Sequence, residues 1–586
     1  MNGDAATAGG GFLIAAASPA GVFAPEQFAE EHRLAARSLA DFLEAEVEPH
    51  AAALESHDYP LMRRLLRRLG ALGFLGVDVP EAYGGTGLDF ITSLVVAETM
   101  SRGSFAVCFG AHTGIGTLPI VYFGTEAQKQ RYLPGLASGE RVGAYALTEP
   151  TAGSDALGAR TRAVLSDDGR EYRLTGTKQF ITNAGFADVF TTYAKVGGER
   201  FTGFVVERAT DGLEIGPEER KMGIKGSSTA SLFFDNARVP AANVLGEIGA
   251  GHRVALNILN IGRLKLAVAS LGAAKRALRQ ALAYARERRQ FGREIASFGL
   301  IRQKLAEMAV RIYLMESMIY RTGGLIHARR QTAPPDAEAA AAVASVEEYA
   351  VECAIDKVYA SEAAGLVMDE LVQIYGGYGF IEDYPAARAY RDARIGRIYE
   401  GTNEINRLLV VGMLLRRAQR GRLPLLDALR RAGDTASVEP PPGGSGPLAG
   451  ARRLVEMAKT AALLTAGAAV ARYGDALGDE QEVVARLADL VIEVFAMESG
   501  LLRGARALDD GLPADAKADL AGAALTDGVR RMDGWCREVL AAVAAGDALR
   551  SRLAAVRRLL PEDLPDGIAL RRRIVGRLLD AGGYAT

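Results

Sequence analysis

In the stretch RIYEGTNEINRL, residues 397–408, one carboxylate, Glu400, sits against a glycine directly after the apolar Ile398 and Tyr399. A carboxylate shielded from water and aimed at a substrate can take a proton; its ordinary alternative is a solvated glutamate that leads into a helix. Taken alone, the stretch favours the ordinary reading. A second group, YALTEPTAGSD at 145–155, offers the hydroxyls of Thr148 and Ser154 and the unencumbered amide of Gly153. Such groups suit the edge of a heteroaromatic ring or a phosphate. Further along, KQFITNAG at 178–185 adds Phe180, able to cover a planar ring, with Thr182 close by. A turn followed by a core strand accounts for these residues equally well.

Other chemistries lose their anchors. The six histidines form no H-E-x-x-H pair, and His112 in FGAHTGIG reads as a packed, hydrogen-bonded residue, so no metal is implied. No G-x-S-x-G elbow and no P-loop occur. GSGPLA at 444–449 matches G-x-G-x-x-A but follows prolines instead of a strand, which removes its meaning. A formal charge of −2 gives no domain-wide basic surface for nucleic acid. Cys108, Cys353 and Cys536 lie far apart, suiting a reducing compartment, and the N-terminus lacks the basic residues of a secretory or transit peptide. A cytoplasmic protein of bacterial type is expected, with contact at the inner membrane surface left open. No run of 18 apolar residues free of charge suggests a membrane span.

The elements that must position these residues follow from periodicity. With 586 residues, 49% hydrophobic and 24% charged, the chain predicts several globular units. Residues 1–24 read as a loose arm. Three- and four-residue apolar spacing predicts a helical domain over 25–143, and short β-branched and aromatic runs between turn residues predict a β-domain over 144–243. Helical spacing returns over 244–432, with Glu400 inside this bundle. The Pro/Gly stretch 433–450, including ASVEPPPGGSGPLAG, predicts a linker, and 451–586 an appended helical domain.

In chain order, YALTEPTAGSD, KQFITNAG, YARERRQFG, VQIYGGYGF and YRDARIGRIYEGTNEINRL resemble the acyl-CoA dehydrogenase flavoprotein family, over about residues 25–420. The resemblance implies an α+β fold: an N-terminal all-α domain, a middle β-barrel-like domain, a C-terminal four-helix bundle and, here, an appended α-helical domain. ILNIGRLKL, FGLIRQKLAEM and the extension after a Pro-rich linker are similar to the very-long-chain and bacterial long-chain branch.

That resemblance also implies FAD as cofactor. Tyr145, Leu147, Thr148, Gly153 and Ser154 would contact the flavin, with Phe180, Ile181 and Thr182 covering its other side. Arg288, Phe291, Gln373 and Gly377 would hold the nucleotide end of FAD in a neighbouring subunit, and Thr402 and Glu404 would complete the contacts. For the acyl-CoA substrate it implies Ser154, Leu259, Asn260, Arg263, Tyr399 and Gly401. Glu400 matches the family's catalytic base; the isovaleryl-type members carry theirs at the position of Gly262. Where many members have glutamine this chain has Gly299, so that FAD contact is not expected.

The implied activity is α,β-dehydrogenation of a long-chain acyl-CoA in fatty-acid β-oxidation, with electron-transfer flavoprotein as acceptor and a homodimer favoured over a tetramer. An acyl-CoA oxidase using oxygen and a non-catalytic assembly protein of the same fold are the alternatives. The arginine- and leucine-rich SRLAAVRRLLPEDLPDGIALRRRIVGRLL is expected either to pack in a dimer or to touch anionic lipid.

Overall fold

The computed structural model describes residues 7–332, 334, 337–433, 446 and 448–586. Most of the predicted linker and the GSGPLA match therefore lie outside the described residues. The chain divides into two compact units: a sheet unit of residues 28–272 and 326–347, and a helical unit of residues up to 27, 273–325 and 348–586.

The sheet unit begins with helices whose ends are written in the sequence. Tyr59–Ala71 starts at Asp58, whose carboxylate accepts the Leu61 amide at 3.0 Å, with Pro60 in the first turn. It buries Leu61, Met62, Leu65, Leu66 and Leu69 along one stripe. Glu126–Ser138 opens with a reciprocal Thr125–Gln128 cap and ends at Gly139, which adopts a left-handed φ of 76°. The strands are β1 (Gly143–Ala146), β2 (Arg162–Leu165), β3 (Glu171–Thr182), β4 (Val189–Val196), β5 (Arg200–Glu207), β6 (Leu213–Glu218), β7 (Thr229–Pro240) and β8 (Val244–Leu245). They form one sheet in the order β6-β7-β3-β2-β4-β5-β8, with β1 alongside β4 in parallel. Leu174, Phe190, Phe204 and Leu232 are fully buried in the core that the strands share with the helices, each contributing roughly 1.5–3 kcal/mol.

His112 joins helix and sheet in this unit. The Gly143 amide donates to its Nδ1 at 2.9 Å and its Nε2 faces the Leu136 carbonyl at 3.0 Å, which assigns the proton to Nε2. Among the described residues no group of histidine, cysteine and carboxylate side chains could hold a metal ion.

The helical unit holds residues 299–325 of the helix Gly299–Gln331 and the helices Ala350–Tyr375, Asn403–Gln419, Ala449–Tyr473, Gln481–Asp509 and Asp515–Val543. Residues beyond 448 are joined to the bundle by buried polar pairs. Tyr313 donates to the Gly500 carbonyl at 2.7 Å, and Arg503 pairs with Glu316 at 2.5 Å and with Glu26 at 2.8 Å. The expected loose arm is packed: Phe12, Leu13, Val22 and Ala24 are buried, and the Phe12 ring lies 4.7 Å from that of Phe495. Its apolar patch leaves water, and the Gly10 amide donates to Glu352 at 2.7 Å.

Three helical stretches, Gly103–Phe123, Gly251–Glu287 and Ala449–Asp479, are long and apolar enough by composition to cross a bilayer, unlike the sequence expectation. More than half of each apolar window is buried inside the molecule, so core packing explains their character. All three cysteines are buried and none forms a disulfide among the described residues, and burial pushes the Cys108 and Cys536 thiols up to about 12.

Burial lowers the His112 imidazole from 6.5 to about 4, so the fold favours its neutral form. Its contribution is complete above the unfolded value and disappears as pH falls toward the folded one, on the order of 3 kcal/mol in all. Denaturant melts between neutral pH and pH about 4.5 are expected to show a smaller acid destabilisation for His112→Gln than for the parent chain.

Candidate active site

In the sheet unit the two motifs around the cofactor candidates are tied together by a buried ion pair. Lys178 is fully buried and donates to Glu149 at 2.7 Å and to the Leu147 carbonyl at 3.2 Å. Glu149 also accepts the amides of Arg160 and Thr161, at 2.5 and 3.0 Å. Desolvation works against the Glu149 charge, yet Lys178 and these donors hold its carboxyl below the usual range. The loop of Thr148, Gly153 and Ser154 is thereby closed at both ends. The Gln179 amide donates to the Thr148 carbonyl at 2.9 Å, bringing KQFITNAG against YALTEPTAGSD.

Where β3 pairs with β7, the register shifts between Lys178 and Ile181. This bulge turns Phe180 out of the ladder, with φ at 60° and 58% of the residue exposed, while Ile181 stays buried. A left-handed φ on a phenylalanine costs roughly 1–3 kcal/mol and persists where surrounding structure enforces it. Tyr145 and Leu147 are buried, Thr148 and Thr182 half-buried, and Gly153 and Ser154 exposed. A Cβ placed on Gly153 would meet no atom within 4 Å, so the approach to its backbone is open. The planar, polar-edged flavin of FAD fits an exposed aromatic ring next to hydroxyls and free backbone.

On the helix Gly251–Glu287, Arg263 is buried and donates to Asn260 at 2.6 Å, which orients the guanidinium. Leu259 is half-buried on the preceding turn.

In the helical unit Glu400 occupies the turn between the 3-10 turn Arg394–Arg397 and the helix Asn403–Gln419. Glu400 and Gly401 are both left-handed, with φ of 59° and 79°. Only glycine adopts the second without strain. Lys357, fully buried, donates to the Gly401 carbonyl and to Asn403 Oδ1, both at 2.7 Å. The Asn406 amide donates to the carbonyls of Gly401 and Thr402 at 2.8 and 3.0 Å and lies 3.4 Å from that of Glu400. Thr402 caps the helix by accepting the Ile405 amide at 3.2 Å. With these carbonyls engaged, Glu400 is half-buried, while Tyr399 and Glu404 are exposed.

The same unit gathers the remaining cofactor candidates on its surface. Arg288 lies with its guanidinium 5.6 Å over the Tyr378 ring, joining RERRQFG to the segment of Gln373 and Gly377. Tyr284 stacks on Tyr375 at 4.1 Å. Phe291 tips a two-strand hairpin, left-handed at φ 50° and 93% exposed. Gln373 and Gly377 are exposed, and Gly377 has open space around its Cβ position.

Sequence reasoning passed over Lys178, Glu149, Lys357 and Asn406, which position the loop and the turn. The signal for two of them was present: a lysine within the apolar alternation of β3 and a glutamate inside a turn motif.

An α+β fold with an exposed aromatic ring beside hydroxyls and open backbone fits a flavin-binding enzyme. The chain belongs to the acyl-CoA dehydrogenase family. It matches the family's N-terminal domain over residues 29–140, its middle domain over 144–237 and its C-terminal domain over 249–415, with a further acyl-CoA dehydrogenase C-terminal domain over 457–558. It is 47% identical over 582 residues, 98% of both chains, to a probable acyl-CoA dehydrogenase of Bacillus subtilis. To the human mitochondrial very long-chain specific acyl-CoA dehydrogenase it is 37% identical, over 86% of this chain and 79% of that protein. The crystal structure of an acyl-CoA dehydrogenase complexed with FAD from Bacillus anthracis superposes with a TM-score of 0.97 at 46% identity, covering 99% of this chain and 100% of the other. The protein is an FAD-dependent acyl-CoA dehydrogenase.

Lys178→Met would leave the Glu149 charge buried without its counter-ion, at a cost of about 3 kcal/mol. The expected outcome is a lower melting temperature together with faster loss of FAD on gel filtration, read from the flavin-to-protein absorbance ratio.

Proposed function

We propose that the protein dehydrogenates long-chain acyl-CoA thioesters between the α and β carbons, with Glu400 as the base, and passes the electrons to an electron-transfer flavoprotein. The observation that carries the role of Glu400 is its turn: a strained, left-handed backbone whose neighbouring carbonyls are taken up by Lys357 and Asn406. The energy stored there is explained by a side chain that must be presented in one direction. A thioester α-proton is weakly acidic, so its removal needs a positioned carboxylate and a polar partner for the negative charge that develops on the carbonyl. FAD, when bound, would supply the acceptor for the β-hydride, and the chain's own residues would position it. Thr148, Gly153 and Ser154 would hold the flavin edge, Phe180, Ile181 and Thr182 its face, and Thr402 and Glu404 the nucleotide. Leu259, Asn260, Arg263, Tyr399 and Gly401, with Ser154, would border the substrate.

The long-chain reading rests on the likeness to the human very long-chain specific enzyme together with the extension beyond residue 448. Glu400→Gln is expected to retain FAD but to lose anaerobic bleaching of the flavin by acyl-CoA by a factor of about 10²–10⁴. In the parent enzyme a ladder of saturated acyl-CoAs from C4 to C20 should bleach best at the long end. A short-chain optimum removes the long-chain assignment, and stoichiometric hydrogen peroxide without added acceptor would favour an oxidase.

We further propose a homodimer in which Arg288, Phe291, Gln373 and Gly377 serve the FAD of the neighbouring subunit. Phe291, Leu300 and Phe380 are 93%, 77% and 85% exposed on the helical unit, an apolar surface that calls for a cover. A packing role for the C-terminal helix is supported by the pairing of Arg571 with Asp527 and of Arg573 and Arg577 with Asp519, which engages those charges within the chain. Phe291→Asp should shift the light-scattering mass toward the monomer and release FAD, whereas an unchanged mass with full FAD content would count against this arrangement.

A further inference from the structure

We propose that the helical unit carries a second ligand site, an arginine-walled cleft for a phosphate-bearing small molecule, built from residues outside those assigned to FAD and acyl-CoA. The cleft holds about 310 Å³, at the lower end of the roughly 300–1,000 Å³ of small-molecule sites. Four arginines line it: Arg311 from the helix Gly299–Gln331, Arg530 and Arg531 from Asp515–Val543, and Arg571 from Gly567–Ala581.

The acidic groups facing them are unevenly shared. Arg571 donates to Asp527 at 2.5 Å and has Glu307 at 3.9 Å. Arg531 makes a two-pronged contact with Glu493, at 2.7 and 3.0 Å. Arg311 has instead a neutral partner, the Tyr359 hydroxyl at 3.5 Å, although it is only half-exposed. Arg530 is exposed and makes no ion pair among the described residues. Two guanidiniums therefore face the cleft without a carboxylate of their own, beside two that are already committed.

Gathering cations in a partly desolvated cleft is unfavourable unless an anion joins them. A guanidinium presents a rigid, planar fork that matches two oxygens of one phosphate, and two such forks suit a dianion or a diphosphate better than a single carboxylate. Val310, Leu314 and Leu366 form an apolar flank of the same cleft, against which a larger group attached to the phosphate can rest. The shared chemistry is the phosphate, and its source is either the free ion or a nucleotide.

The test is calorimetric titration of the FAD-loaded full-length enzyme with inorganic phosphate, pyrophosphate and ADP, for the parent and for Arg311→Gln and Arg530→Gln. Saturable binding of at least one probe is expected, weakened about tenfold or more in at least one variant, with flavin reduction by acyl-CoA unchanged. Tighter binding of ADP than of inorganic phosphate identifies a nucleotide, and equal affinity a free-phosphate site; both support the proposal. Because Arg530 is exposed and makes no ion pair among the described residues, its variant should melt like the parent and keeps the test readable if Arg311→Gln folds poorly. No saturable binding by any probe, or binding unaltered in both variants, overturns the proposal.

Discussion

Lys357 holds the turn that presents Glu400. Its ammonium group is fully buried, a placement made tolerable by the Gly401 carbonyl and Asn403 Oδ1, which both accept from it at 2.7 Å. Two successive left-handed residues would relax if the carbonyls between them were free to turn toward water. Asn406, one turn into the following helix, removes that freedom from the other side. The direction of one carboxylate is thus set by a lysine in the interior of a helix far upstream in the chain, and by a helix cap immediately downstream.

The sheet unit solves the same problem with the same kind of group. Lys178 is buried and hydrogen-bonded to a carbonyl, here that of Leu147, and to the carboxylate of Glu149. Two residues later the strand breaks register and Phe180 takes a left-handed φ with its ring exposed. In both places a buried ammonium anchors the backbone, and the adjacent residue carries the strain with its side chain available. The hairpin of Phe291 reaches a comparable φ by a cheaper route, since Gly292 follows it in an exposed turn that needs no buried charge.

Parts of this were legible from residue types. His112 reads as a hydrogen-bonded core histidine, and the structure supplies its partners, the Gly143 amide and the Leu136 carbonyl. The N-terminal arm reads as loose in sequence because its small and apolar residues carry no periodicity; Phe495 and Glu352 opposite them give these residues somewhere to pack. The basic C-terminal helix supports two readings in sequence, since an arginine bound to lipid and one bound to a distant aspartate have the same spacing. Asp519 and Asp527 lie some fifty residues away and meet Arg573, Arg577 and Arg571 only through space.

By itself the sequence determined the class of elements, the family motifs and their order, and the residue types available for chemistry, because hydrophobic period, capping residues and glycine-bearing turns are local properties. The tertiary structure alone decided which carbonyls Lys178 and Lys357 would satisfy, which of Phe180, Phe291 and Glu400 would be forced left-handed, and which arginines would be left without a carboxylate. These depend on pairs distant in the chain, and a buried charge or a strained φ acquires its energy only when the groups around it are in place.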